Sequence, residues 1–257
     1  MDINKLHESN LVAIPQKEKA LAWMIEEGPL VESAGLPMTA LRSLVAQQRI
    51  LRLRNDLYLA PMHEGRLPSF PRTINLVDPD GYISGMGALS LHGFNDQDIA
   101  RWYSVSATRQ ADIAYGQYTA HFVMSPSHAL NASRTQVKVL SGPVILATLA
   151  RAIIDELDLM PFGLDLVEVA RTLRYAVGSG ALDEDQLMAE WQRTPSVAAA
   201  RRLGLLLEIV TGKQSDAFLR VSHSRGGITR LDGDGISEPA WRLFLPQSRA
   251  EIARASR

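Results

Sequence analysis

Cysteine is missing from this 257-residue chain, so disulfides and thiolate metal sites are excluded, and with them the zinc-finger and zinc-ribbon routes to nucleic acid. Long apolar runs are missing too. No stretch approaches the roughly 20 uninterrupted apolar residues that span a bilayer, and the opening MDINKLHESN has neither the basic start nor the apolar run of a signal peptide. The expectation is a cytoplasmic protein with no membrane partner. Net charge is nearly absent: 27 Lys+Arg against 28 Asp+Glu leave −1, so affinity for a polyanion must come from a local patch. Internal repeats and low-complexity tracts are absent as well. What is present is an ordinary globular balance, 46% hydrophobic and 21% charged, enough for a substantial core. The length suits one large domain or two modest ones.

One patch stands out. Ser33 to Asn55, SAGLPMTALRSLVAQQRILRLRN, holds Arg42, Arg49, Arg52 and Arg54 and no acid. The elements predicted around it have an ordered rhythm. Pro15 to Glu27 reads as a helix with Leu21, Met24 and Ile25 on one apolar face. After Gly28 and Pro29, Leu30 to Ala34 reads as a brief second helix closed by Gly35, and Pro37 opens a third. In that third helix Met38, Leu41, Leu44, Val45 and Gln48 share one face, leaving Thr39, Arg42, Ser43 and Gln47 outward. Ile50 to Leu59 alternates, turns at Asn55 and Asp56, and returns as a basic hairpin. Three short helices and a hairpin make a winged helix-turn-helix, whose third helix enters the major groove while the wing lies along phosphates. Arg42 then reads a guanine edge, and Arg49, Arg52 and Arg54 neutralise phosphates. The competing readings are a protein-interaction module and a basic edge strand that discourages pairing.

The winged helix is predicted to end near Pro61, within a first domain of residues 1–66. Met62 to Arg72 is read as a connector to a second domain of residues 73–257. There, strands are predicted at Ile74 to Val77, Trp102 to Ala107, Tyr118 to Met124 and Gln136 to Leu140, with a Ser84-capped helix running to His92 and ending at Gly93. Helices are predicted at Val144 to Leu159, Leu164 to Val177, Glu184 to Arg193 and Val197 to Thr211, the last two capped by Asp183 and Ser196. Ala217 to Ser222, Gly227 to Leu231 and Trp241 to Leu245 read as short terminal strands. The fold class is therefore α+β: an N-terminal winged helix-turn-helix, then a larger mixed domain with a helical C-terminal half.

Ser84 to Gly93, SGMGALSLHG, lacks the third glycine of a dinucleotide fingerprint and the Gly-Lys-Ser/Thr end of a phosphate loop, so a closely packed capped helix is the reading. Asp232, Asp234 and Glu238 do not have calcium-loop spacing and read as solvated turn acids. His92, His121 and His128 lack metal-ligand spacing, no Ser, His and Asp set assembles from sequence, and Asp155, Glu156 and Asp158 read as a solvated helix end. The expectation is a non-enzymatic protein with no cofactor and no metal. A nuclease-like acid cluster in the second domain is the distant enzymatic alternative.

Four segments together resemble the AbiEi-type antitoxin family of bacterial abortive-infection toxin–antitoxin pairs: LRSLVAQQRILRLRNDLYLAP at Leu41 to Pro61, YISGMGALSLHGF at Tyr82 to Phe94, PVILATLARAIIDEL at Pro143 to Leu157, and RRLGLLLE at Arg201 to Glu208. They span most of the chain in the family's order. Asn55 and Asp56 stand where family members usually carry a wing-turn glycine, and the region after Gly212 has no placed counterpart. The resemblance implies a regulator that represses its own operon by binding promoter DNA repeats, and whose larger domain counteracts a nucleotidyltransferase toxin without requiring a stable complex with it. Only the third helix and wing, Thr39, Arg42, Ser43, Gln47, Arg49, Arg52 and Arg54, carry over residue by residue. A solitary regulator without a toxin is the runner-up, and an adjacent nucleotidyltransferase gene discriminates the two.

Overall fold

A computed structural model describes residues 14–62, 65–159, 165–230 and 235–257. The opening segment, Asp232 and Asp234 lie outside the described residues. Pro15 precedes helix α1 (Gln16–Glu27), which buries Ala20, Leu21 and Met24. Pro37 precedes α2 (Met38–Ala46), which sets Ala40, Leu41 and Leu44 into the same small cluster. Met38 and Gln48, expected on that apolar face, are exposed instead. Met38 sits at the helix start, and Gln48 lies past its end with φ of 55°, so the helical period no longer governs it.

The helix expected at Leu30 to Ala34 is in fact strand β1 (Leu30–Glu32). Its residues pair antiparallel with Leu59, Tyr58 and Leu57 of β3 (Leu57–Leu59). A single helical turn fixes several dihedrals for one hydrogen bond, whereas here a ladder is satisfied and Val31 is buried. Strand β2 (Leu51–Arg54) completes the sheet in the order β1-β3-β2, and its register slips between Arg52 and Arg54. Asp56 takes φ of 62°, the left-handed position a turn glycine would otherwise fill.

The connector expected to reach Arg72 is shorter, because α3 spans Phe70–Val77. Ile74 to Val77, expected as strand, lies inside this helix. Pro71 suits its first turn, Phe70 and Ile74 stack one turn apart in the core, and buried Asn75 bonds the backbone of Ile145 through both amide atoms. The central sheet follows: β4 (Tyr82–Ser84), β5 (Arg101–Ser106), β6 (Ile113–Tyr115), β7 (Tyr118–Met124), β8 (Arg134–Val139) and β9 (Gly142–Ala147). Their order is β6-β7-β5-β4-β9-β8. The β5–β7 and β4–β9 pairs are parallel and the rest antiparallel. Helix α4 (Gly85–Leu91) leaves β4, and α5 (Pro126–Asn131) leaves β7. Gly87 allows α4 to lie on Trp102, whose ring a Cβ would meet at 2.7 Å.

The single helix expected from Val144 to Leu159 is two elements, β9 and α6 (Leu149–Asp158). Val144 to Leu146 complete the ladder with β8, and Thr148, whose hydroxyl accepts from Arg151 N, starts the helix anew. Helix α7 (Leu166–Gly178) is capped by Asp165 and runs through Gly178, and its expected start at Leu164 lies outside the described residues. Helices α8 (Glu184–Arg193) and α9 (Val197–Thr211) lie where the caps placed them, with a reciprocal Asp183–Gln186 capping box and left-handed Gly212 closing α9. Ala217 to Ser222, expected as strand, belongs to α10 (Asp216–Ser224), where Ser215 caps and Phe218 and Ser222 are buried one turn apart. A small sheet, β10 (Thr229–Arg230), β11 (Ile236–Glu238) and β12 (Leu243–Leu245), runs in the order β10-β12-β11. Trp241, expected at the start of a strand, sits in a one-turn 3₁₀ segment before β12, and α11 (Arg249–Ala255) ends the chain.

The architecture is mixed α+β. Apolar burial forms two clusters: a small one under α1 and α2 with Tyr58, and a large one spanning the central sheet and α6 to α9. Leu53, Leu57 and Leu59 of the hairpin belong to the large one. Among the described residues no helix is long and apolar enough to cross a membrane.

Candidate nucleic-acid interface

Burial of Leu41 and Leu44 fixes the roll of α2, and so presents Thr39 and Arg42 to solvent with Ser43 half-buried beside them. Gln47 caps the helix end, exposed, its amide donating to Ser43 Oγ at 3.4 Å. The outward set expected from the sequence is therefore one surface. Arg42 makes no side-chain hydrogen bond or ion pair among the described residues, which leaves a guanidinium available on a rigid helix.

The other three arginines differ. Arg49 Nη1 lies 2.5 Å from Glu18 Oε1 on α1, and that hydrogen bond holds the Glu18 carboxyl below its usual range and raises the guanidinium. Arg54 reaches across to the larger body and donates to Ala111 O at 2.7 Å. Arg52 is exposed and, among the described residues, bonds only the turn residue Asn55, at 2.7 Å. Asp56 stands one residue beyond the acid-free stretch, at the hairpin tip, and accepts from Ser33 Oγ at 3.1 Å. The four charges thus divide into two held by protein and two, Arg42 and Arg52, turned toward solvent.

A second constellation escaped the sequence. Asp155 and Glu156, expected at a solvated helix end, are buried, and Arg151 one turn earlier is wholly so. Arg151 Nη2 lies 2.5 Å from Asp155 Oδ1, and its Nη1 donates to Thr194 Oγ1 at 2.5 Å and sits 3.7 Å from Glu190. Asp155 accepts from Ser84 Oγ at 2.6 Å and Tyr82 OH at 3.0 Å. Ser84 starts α4 as expected, yet its hydroxyl serves this acid rather than the helix. Burial pushes the Asp155 carboxyl and the Tyr82 phenol up from their ordinary values. The chemical reason Asp155 is inside is the arginine: a buried charge without a partner would cost several kcal/mol. The sequence signal was available in LARAIIDEL at Leu149 to Leu157, where apolar residues flank the Arg151–Asp155 pair at i, i+4.

Asp158 continues the network. Ser196 Oγ donates to it at 2.6 Å and His128 Nε2 lies 3.4 Å away. Burial alone would raise this carboxyl, but the His128 and Ser196 contacts outweigh it and hold it low. Ser125 Oγ is 2.8 Å from His128 Nδ1, so a Ser, His and Asp set that could not be assembled from sequence is brought together. Its geometry is that of a brace: Ser125 and His128 lie one turn apart at the start of α5, and Asp158 is also held by Ser196. Among the described residues no group of three or more His, Asp or Glu side chains forms a metal site. His92 Nε2 pairs with Ala147 O at 2.8 Å, and His121 with Asp112 at 2.6 Å.

No family profile matches the chain, and no curated protein matches it in sequence. Its fold is similar to that of the RV2827C protein from Mycobacterium tuberculosis, with a TM-score of 0.56 at 14% identity, covering 90% of this chain and 91% of that one. A likeness at that identity concerns the arrangement of the elements alone.

Proposed function

We propose that the chain is a DNA-binding regulator in which α1, α2 and the three-stranded sheet act as a winged helix, with α2 entering the major groove. The observation that carries this is Arg42. It is exposed and, among the described residues, unpaired on the outward face of a helix whose opposite face is locked by Leu41 and Leu44, flanked by Thr39, Ser43 and Gln47, and beside a hairpin that carries Arg52. A planar guanidinium so placed can bond guanine O6 and N7 together, and Arg52 supplies a phosphate contact. Arg49 and Arg54 brace the module, through Glu18 and Ala111. The resemblance to AbiEi-type antitoxins adds the biological setting: repression of its own operon and neutralisation of a nucleotidyltransferase toxin.

Fluorescence anisotropy with a duplex from the chain's own promoter, against a scrambled duplex, tests the binding. Arg42→Ala should weaken promoter binding by about 1–3 kcal/mol and scrambled binding less. Equal promoter affinity for wild type and the Arg42→Ala, Arg52→Ala double variant would remove α2 and the hairpin as the DNA surface. Co-expression with an adjacent nucleotidyltransferase gene, scored by growth, tests the antitoxin role. Absence of rescue would leave a solitary regulator.

A further inference from the structure

A cleft of about 410 Å³ opens where the starts of β5 and β7 meet the end of α6 and the start of α7. Small-molecule sites commonly begin at this size, roughly 300 Å³ upward. Its wall includes Glu156, only 2% exposed, on α6. Glu156 Oε2 accepts from Met86 N at 3.1 Å, in the first turn of α4, while Oε1 has no protein partner among the described residues. Among the described residues four carboxyl groups line this cleft, Asp98, Glu156, Asp165 and Glu168, against one guanidinium, Arg101. Asp165 is occupied in capping α7 and Glu168 pairs with Arg171, so Glu156 is the buried acid left with an open oxygen. The excess of carboxyl groups around it selects a positive charge as its partner.

We propose that this cleft binds a small organic cation, with an ammonium or guanidinium group seated on Glu156 and the exposed Asp98 and Asp165 at its rim. The Asn95, Gln97, Gln117 and Thr119 side chains supply neutral polar contacts for the rest of such a ligand. This site is separate from the proposed DNA surface and does not depend on it. Binding also has a proton signature. Burial, with smaller contributions from Asp155 and Asp165, raises Glu156 to about 7; Asp98, Glu168 and Arg101 complete the charges facing it. A bound cation favours the ionised carboxylate, so binding releases a proton and tightens as pH rises from about 6 to about 8.

The test is isothermal titration calorimetry of the full chain with agmatine, and with a neutral alcohol of the same length, in two buffers of different ionisation enthalpy. Agmatine should bind with net proton release near neutral pH, and the alcohol should not bind. Glu156→Gln keeps the acceptor for Met86 N and should weaken agmatine by about 10- to 100-fold, the scale of one charge-assisted hydrogen bond. Asp98→Asn, at an exposed rim position that leaves the core untouched, should weaken it severalfold. The proposal is overturned if agmatine fails to bind wild type at millimolar concentration, if the alcohol binds as well, or if both variants bind agmatine with wild-type affinity.

Discussion

Replacing Gly204 by alanine sets two effects of opposite sign against each other. Gly204 lies inside α9, where alanine is the better helix former by about 1 kcal/mol. The added Cβ, however, would stand 2.1 Å from Trp241 Cζ3 and 2.3 Å from Cη2, well inside contact distance, so either α9 or the indole must move. The indole is pinned: Trp241 is fully buried and donates from Nε1 to Glu208 Oε2 at 2.7 Å, and Glu208 in turn lies 2.6 Å from Arg249. Overpacking a core costs about 1–3 kcal/mol, and surrendering a hydrogen bond to a charged acceptor adds about 1.5–3 kcal/mol. The steric term wins, for a net loss of about 1.5–5 kcal/mol once the helical gain is set against it. A urea titration followed by far-UV circular dichroism reads this as a lower midpoint. Gly178→Ala is the control, since a Cβ at the end of α7 meets nothing within 4 Å; it should be neutral or stabilise by up to about 1 kcal/mol. A Gly204→Ala midpoint at or above wild type would refute the packing of Trp241 against α9.

The remaining expectations concern charge. Because the Glu156 carboxyl is raised to about 7, its folded state holds a proton more tightly than the unfolded chain. Wild type therefore loses stability as pH climbs from about 4.5 through 7, and Glu156→Gln, which lacks that loss, should gain on wild type by an amount of the order of 3 kcal/mol between pH 4 and 8; a pH-independent difference in denaturation would contradict the burial of this acid. Arg54→Ala should cost about 1 kcal/mol of stability through its bond to Ala111 and leave the salt dependence of DNA binding unchanged. Arg52→Ala should reduce the slope of log affinity against log salt by about 0.9 per copy bound, with little effect on melting. A reversed pattern in the salt series would exchange the roles of these two arginines.

What could be read from the sequence depended on where the deciding chemistry sits. Helices α8 and α9 were placed to the residue because Asp183, Ser196 and Gly212 act on their own neighbours. Strand β1 was misread because three residues carry no periodicity of their own, and only the distant ladder with β3 makes them a strand. Val144 to Leu146 were joined to α6 for the same reason: an apolar run behind a proline fits a buried helix as well as a buried strand. In the candidate interface, the outward face of α2 followed from helical spacing alone. The division of the arginines did not, since Glu18 and Ala111 lie 31 and 57 residues away in the chain from Arg49 and Arg54. The neighbour of Gly204 is Trp241, a long-range partner that no local pattern announces.

The alternation in β3 limits how the hairpin can change over generations. Leu57 and Leu59 face the large cluster while Tyr58, between them, faces the small one. Inserting or deleting one residue within the strand would exchange those faces, setting the tyrosine toward the large cluster and two leucines toward α1 and α2. Length is therefore free to drift only at the Asn55–Asp56 tip, beyond the last paired residues Arg54 and Leu57. Descendants of this chain can acquire a longer or shorter finger while the base from which it projects stays in register with both bodies at once.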